Sequence, residues 1–272
     1  MPADTATWQK PGTDGQDRQF VTALARGLEL LRCFTPDEAV LGNRQLASRT
    51  GLPPATVSRL THTLCELGYL EYSEGLGKYR LGPPVLSLGY ACLRNLAIRQ
   101  RARELMARLA EDTGASVAMG ARDRLEMVYV EHCHAPELRT LRLDVGSRIP
   151  LATTSLGRAL LAGLPEAERN YLLEHIRQRD PDNWPQLAAG IERAVEEVTR
   201  RGFCLVRGEW QRDVNAVGVP LVPGDGSPIV ALNCGGPEFS LPVKRLEQEV
   251  GPRLVHLAHS LGPADHPPFP QN

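Results

Sequence analysis

Long apolar runs are missing from this chain. None approaches the roughly 18 residues that a helix needs to span a bilayer, and no charged-then-apolar leader opens the sequence. Neither a membrane protein nor a secreted one is expected. Paired cysteines are missing too. Cys33, Cys65, Cys92, Cys133, Cys204 and Cys234 are scattered without a repeated spacing, which argues against a disulfide framework and for reduced thiols in a cytoplasmic protein. Aromatic residues make up only 5% of the chain, so aliphatic side chains must fill the core, as suits an α/β or α+β protein. No GxxxxGK[ST] and no convincing GxGxxG occurs, so a nucleotide cofactor is not expected, and nothing else in the sequence asks for a cofactor. There is no internal repeat.

What is present is length and a charge asymmetry. With 272 residues the chain can build two domains, each with its own core. The net charge of -1 conceals an uneven distribution. Residues 20–110 carry twelve basic side chains against seven acidic ones, and residues 111–272 carry seventeen against twenty-two. A basic front and an acidic back favour polyanion binding by the front alone.

Residues 1–18 are polar and rich in Gly, Asp and Thr, the composition of a disordered arm. Phe20, Leu24, Leu28 and Leu31 recur at helical spacing before Pro36 ends the run. Asn43 is placed to cap a short helix, Arg44 to Thr50, that Gly51 terminates. Another helix starts at Pro53-Pro54, with Val57, Leu60, Leu64 and Leu67 as its buried stripe and Gly68 as its stop. Tyr69–Ser73 and Lys78–Leu81 then read as a hairpin around Glu74-Gly75-Leu76-Gly77. Helix, tight turn, helix and two-stranded ribbon, in that order, describe a winged helix-turn-helix over residues 19–82. A helical linker, residues 83–113, follows and is interrupted near Asn95. Behind it, strands are expected at Ser116–Ala121, Glu126–His132, Arg139–Asp144, Phe203–Arg207, Ala216–Val222 and Ile229–Asn233. Helices are expected at Ser155–Ala162, Pro165–Ile176, Pro185–Arg201 and Leu241–Leu261, the last kinked or split at Pro252. The second domain thus spans 114–262, and residues 263–272 form a proline-rich disordered tail. The fold class is α+β.

A recognition helix carries small or polar residues at its start, where base edges are met, and an apolar stripe behind. Ala55, Thr56, Ser58, Arg59 and His62 lie off the Val57/Leu60/Leu64 stripe. Arg59 suits a guanine edge or a phosphate, Thr56 and Ser58 suit phosphates, and Ala55 suits a thymine methyl. Arg44 and Arg49 on the preceding helix and Lys78 and Arg80 in the wing are placed for the DNA backbone. Winged helices also serve as protein–protein modules, and a solvated helix face can carry the same groups by chance. The arginine-rich stretch Arg94–Arg108 favours DNA.

Two other patterns suggest chemistry but do not assemble it. Thr154-Ser155-Leu156-Gly157 is half of a nucleophile elbow without its leading glycine, so no catalytic residue is assigned. His132-Cys133-His134 resembles a metal cluster, but strand alternation points both histidines one way and the cysteine the other, so no metal site is assigned.

RGLELLRCF (Arg26–Phe34), LASRTGLPPATVSRLTHTLCELGYL (Leu46–Leu70) and GKYRLGPPVLSLG (Gly77–Gly89) resemble the N-terminal domain of IclR-type transcriptional regulators. GSRIPLATTSLGRALLA (Gly146–Ala162), RGFCLVRGEWQRDVNAVGVPLV (Arg201–Val222) and SPIVALNCGGP (Ser227–Pro237) resemble segments of that family's effector domain. The resemblance implies a winged helix-turn-helix, a linker helix and a GAF-like α/β effector-binding domain. It further implies a homodimer or dimer of dimers on double-stranded operator DNA, no membrane partner, and control by a small organic acid. Carried over by position, the ligand would meet Thr154, Ser155 and Leu156 at a helix entry and Val206, Ala216, Asn233 and Gly235 on strands, with Asn215 and Arg148 as further polar candidates. Val206 and Ala216 replace the Asp and Cys, and Asn233 and Gly235 the serines, of members that bind small keto-acids. The less polar lining suits a larger, aromatic or hydroxy-aromatic acid. The residues themselves agree at one point: a helix start offers free N–H groups and a dipole to a carboxylate. Ser155 is also a common helix cap, so it has two readings.

Overall fold

The computed structural model describes residues 19–134, 143–223 and 227–262. The expected arm 1–18, the tail 263–272 and most of the expected strand Arg139–Asp144 lie outside them; Leu143 and Asp144, its described end, are not in a strand. The chain divides into two compact units at Asn95/Leu96. The stretch 83–113 is therefore two helices, Pro83–Arg94 (α4) in the first unit and Ala97–Thr113 (α5) in the second.

The first unit holds α1 (Thr22–Arg32), α2 (Asn43–Thr50), α3 (Pro54–Glu66), β1 (Leu70–Ser73), β2 (Lys78–Leu81) and α4. Leu30, Cys33, Leu41, Leu46 and Val57 form its core. Gly51 ends α2 at φ 68°, a left-handed position that a side chain would strain, and Pro54 opens α3 where its missing N–H is not needed. The wing is an antiparallel hairpin with Tyr72 opposite Tyr79. Leu41 exchanges both backbone hydrogen bonds with Tyr79, which ties the wing to the start of the helix pair.

Three local expectations are corrected here. Gly42, not Asn43, is the N-cap of α2: its N–H donates to Gln45 Oε1 at 3.0 Å, while Asn43 Nδ2 donates to Ser58 Oγ at 3.3 Å. The buried positions of α3 are Val57 and Thr61, and Leu67 is 61% exposed. A threonine can sit there because its Oγ1 donates to the Val57 carbonyl of its own helix at 3.0 Å. Of the apolar stripe at α1, Phe20 lies ahead of the helix and is exposed, Leu24 and Leu28 face outward, and the buried positions are Gly27 and Leu30.

The second unit is built on a six-stranded antiparallel sheet of order β5-β4-β3-β8-β7-β6. Its strands are β3 (Ser116–Asp123), β4 (Glu126–His134), β5 (Arg148–Pro150), β6 (Cys204–Arg207), β7 (Val214–Leu221) and β8 (Val230–Pro237). The short β5 was not expected. Its pairing with β4 at Met127↔Ile149 adds one buried isoleucine to the core. Alternation and register assign even positions of β3 and β7 and odd positions of β8 to one face, where α6 (Ser155–Gly163) lies, with α8 (Trp184–Arg201) against it and α7 (Glu166–Arg179) beyond. The approach is close. A Cβ at Gly218 would collide with the Ser155 carbonyl, and one at Gly120 would meet Leu156 Cδ2 at 2.5 Å. The opposite face carries α5 and α10 (Gly251–Leu261). The expected helix at Leu241–Leu261 is broken into a single turn, α9 (Val243–Arg245), a wider π-type turn (Leu246–Val250) and α10, which takes Pro252 in its first turn.

Candidate DNA-reading surface and effector cavity

In the first unit Arg44, Ala55, Ser58, Arg59 and His62 are exposed, and Thr56 and Lys78 are half-buried. Ala55, Thr56, Ser58, Arg59 and His62 share α3 with the buried Val57 and Thr61, so the core fixes which way the helix presents them. Arg80 is exposed and pairs with Glu71 across the wing at 2.6 Å. Arg49 is placed differently from expectation. Its guanidinium donates to the Cys33 carbonyl at 2.7 Å and pairs with Glu38, and its side chain is only 16% exposed. It holds α2 to the end of α1 rather than facing outward. Thr56, Arg59 and His62 also border an apolar groove of about 780 Å³, whose other wall is Leu24, Gly27, Leu28 and Leu31 of α1.

In the second unit a small cavity of about 30 Å³ opens at the start of α6. Thr154, Ser155, Val206, Ala216, Asn233 and Gly235, six of the eight residues anticipated, line it. The other two do not. Leu156 is fully buried against Gly120, because the next residue of a helix points about 100° away from its neighbour. Asn215 sits on the opposite sheet face from Ala216, and its Nδ2 donates to the Leu241 carbonyl at 3.2 Å. Arg148 is engaged by Asp123 at 2.6 Å and Glu126 at 2.7 Å.

The structure removes one of the two readings of Ser155, that of helix cap. The cap of α6 is Thr154, whose Oγ1 accepts from Gly157 N–H at 3.1 Å and donates to the Pro150 carbonyl at 2.7 Å. Ser155 is the first helical residue. Its Oγ is buried without a hydrogen-bond partner, and so is Oδ1 of Asn233. Two orphaned polar atoms beside one cavity are unusual, since such a group costs about 1–3 kcal/mol when buried unpaired.

The remaining lining was not anticipated: Ser116, Tyr129, Leu143, Ile149, Trp210 and Val214. Strand pairing supplies part of it, since Gly120 stands opposite Tyr129 and Ser116 opposite Gly235. Burial pushes the Tyr129 phenol up to about 12, partly offset by a hydrogen bond from the Asn233 side chain, so the phenol is a neutral donor. Ser116 Oγ lies 2.5 Å from His132 Nε2. Burial, and then the neighbouring His134, hold His132 below the usual imidazole range, against Asp144, Glu131 and the Leu143 backbone. The rings of His132 and His134 are 5.7 Å apart, and Cys133 Sγ points to the Arg103 carbonyl. Trp210 belongs to the loop between β6 and β7. The neighbouring Glu209 grips Arg158 of α6 through two hydrogen bonds, 2.9 and 2.5 Å, and Arg158 is 1% exposed.

A winged helix-turn-helix on one unit and a cavity-bearing antiparallel sheet on the other define a DNA-binding regulator with a sensor domain. Residues 23–74 match the IclR helix-turn-helix domain, and residues 90–262 match the C-terminal domain of bacterial IclR transcriptional regulators. The chain belongs to the IclR family of bacterial transcriptional regulators. It is 39% identical to the HTH-type transcriptional regulator TsaQ1/TsaQ2 of Comamonas testosteroni, over 89% of this chain and 87% of that protein. An IclR family transcriptional regulator from Brucella abortus is 52% identical, with a TM-score of 0.86 over 93% of this chain and 95% of the other. An IclR homologue from Microbacterium hydrocarbonoxydans, solved with 4-hydroxybenzoate, shares the fold at 23% identity and a TM-score of 0.68, covering 88% and 97%. Among the described residues no helix is long and apolar enough to cross a membrane, and no group of three or more metal-ligating side chains assembles.

Proposed function

We propose that the protein is a cytoplasmic sensor that binds operator DNA through α3 and the wing and changes that binding when a small hydroxy-aromatic acid fills the cavity at α6. It would control a catabolic operon. The observation that carries the ligand reading is the pair of buried, unpartnered atoms, Ser155 Oγ and Asn233 Oδ1, at one cavity. The hydroxyl of Ser155 and the N–H groups at the start of α6 suit a carboxylate. Asn233 Oδ1 is an acceptor and suits the proton of a ligand hydroxyl. A ligand carrying both groups satisfies both orphans. The rings of Trp210 and Tyr129 and the side chains of Ile149, Val206 and Val214 suit an aromatic body. A volume of about 30 Å³ is roughly that of one water, so an aromatic acid enters only if a wall yields. The wall with exposed neighbours is the loop at Trp210.

On DNA, Arg44, Lys78 and Arg80 suit phosphates, while Ala55, Thr56, Ser58, Arg59 and His62 suit the major groove. The reading is of a homodimer, or a dimer of dimers, because a palindromic operator demands two recognition helices. Phe20, Val21, Leu24 and Leu28 of the α1 region and Leu86, Leu88 and Tyr90 of α4 are more than half exposed, and a second copy would cover them. The ligand acts only to the extent that it binds one arrangement of the protein better than another. Isothermal titration with 4-hydroxybenzoate, the compound carried by the Microbacterium homologue, tests the cavity. Micromolar binding that Ser155→Ala and Asn233→Leu both weaken is expected. Binding that neither substitution alters would remove the cavity as the site.

A further inference from the structure

Ser116 lies at the same cavity with His132 one hydrogen bond behind it, and neither has a part in the reading above. Ser116 lines the cavity, and its hydroxyl meets His132 Nε2 at 2.5 Å. The Leu143 backbone hydrogen-bonds the same imidazole in the sense that favours a proton on it. A carbonyl accepts only from N–H. With Nε2 taken by the serine, the carbonyl therefore holds the proton of the neutral ring on Nδ1. Nε2 is then an acceptor, and Ser116 O–H must donate to it. Toward the cavity the serine offers only lone pairs.

Protonation reverses this. Nε2–H of an imidazolium donates to Ser116 Oγ, and the serine hydrogen is released to point into the cavity. The cavity wall changes from acceptor to donor, and a cation lies one hydrogen bond behind it. We infer that Ser116 and His132 form a proton-linked relay that reads the charge of the ligand, so that an anionic effector binds together with one proton at His132.

The surroundings permit both states. Around the imidazole stand Ser116 from β3, Tyr129, Glu131 and His134 from β4, and Leu143 and Asp144 from the segment before β5. His134 and burial disfavour the charge, whereas Asp144 and Glu131 favour it. Glu131 is itself held by Arg99 at 3.0 Å and Arg103 at 3.5 Å on the other sheet face, so it compensates an imidazolium only in part. A ligand carboxylate supplies the missing negative charge. By linkage, its affinity must then fall as pH rises between the His132 pKa of the free protein and the higher one of the complex, by up to about tenfold per pH unit.

This inference rests on an organic acid occupying the cavity. The test is calorimetry of the full chain with 4-hydroxybenzoate and its uncharged analogue 4-hydroxybenzamide, from about pH 5 to about pH 8, in buffers of different ionisation enthalpy. The acid is expected to bind with uptake of up to one proton and a Kd that rises with pH, and the amide with neither. His132→Gln and Ser116→Ala are expected to flatten the slope, with folding checked by circular dichroism. Acid binding without proton uptake, or a slope that survives both substitutions, overturns the relay and leaves the cavity assignment intact. If neither compound binds, the hydroxy-aromatic reading fails and the relay with it.

Discussion

The Arg158–Glu209 pair offers a quantitative test of how the cavity is built. Arg158 emerges from the first turn of α6 with 2% of its side chain exposed, and Glu209 sits beside Trp210 with 26% exposed. The guanidinium makes three hydrogen bonds, two to Glu209 and one from Nε to the Ala152 carbonyl at 2.8 Å. The two partners differ in what they leave behind. Glu209→Gln strands a full positive charge with almost no access to water, and such a change costs about 3–5 kcal/mol. Arg158→Met leaves a carboxylate that water can reach and that Arg193, 3.8 Å away, can partly compensate. Its cost is the lost Ala152 hydrogen bond and a moderate part of the pair, about 2 kcal/mol. The double substitution removes both charges and should be less destabilised than Glu209→Gln alone. Urea unfolding followed by the fluorescence of Trp184 and Trp210, in a Trp8→Phe background, measures all three. An Arg158→Met cost equal to or above that of Glu209→Gln, or strict additivity in the double variant, would refute the reasoning.

Four further outcomes are expected. Ser155→Ala removes a hydroxyl that has no partner, so it should leave the chain as stable or about 1 kcal/mol more stable while weakening ligand binding; a clear loss of stability would mean the hydroxyl is satisfied. Gly218→Ala sets a methyl against the Ser155 carbonyl and should cost about 1–3 kcal/mol by overpacking, measured by the same unfolding assay; a neutral result would mean that α6 can retreat from the sheet. Arg59→Ala should weaken operator binding by about 1–3 kcal/mol and relax base preference at one position; unchanged anisotropy titrations across operator variants would remove it from the readout. Burial pushes the Cys204 and Cys234 thiols up to about 12. Near neutral pH both stay protonated, so iodoacetamide should modify the exposed Cys92 in the folded protein and spare these two, as mass spectrometry would show.

The reader was legible in the sequence because its signals are local. Gly51, Pro54, Gly68 and Gly77 fix turns and helix ends by their own backbone preferences, and the elements fell where those residues put them. Spacing alone misjudged which side of α1 is inside. Phe20, Leu24 and Leu28 repeat as core residues do, yet they face out, and periodicity does not say what covers a stripe. Ser155 reads as the cap of α6 from sequence, but the hydroxyl of Thr154 is equally suitable, and only the φ/ψ of the turn decides. The cavity was legible where it follows one segment or a family position. Tyr129, Ser116 and Trp210 were missed because register, a bulge at Met119/Gly120 and loop placement bring them there. The hydroxyl of Ser116 facing a histidine on the adjacent strand is a two-residue fact that no single-segment pattern contains.

The central claim is that one chain couples a sensed acid to DNA binding. The direct measurement is fluorescence anisotropy of the full chain on its own promoter DNA across a salt series, with and without 4-hydroxybenzoate. Specific binding should weaken steeply as salt rises, and saturating ligand should change Kd by roughly 5–150-fold at every salt concentration. Equal affinity for promoter and random DNA, or a promoter Kd that saturating ligand leaves unchanged, would contradict the account.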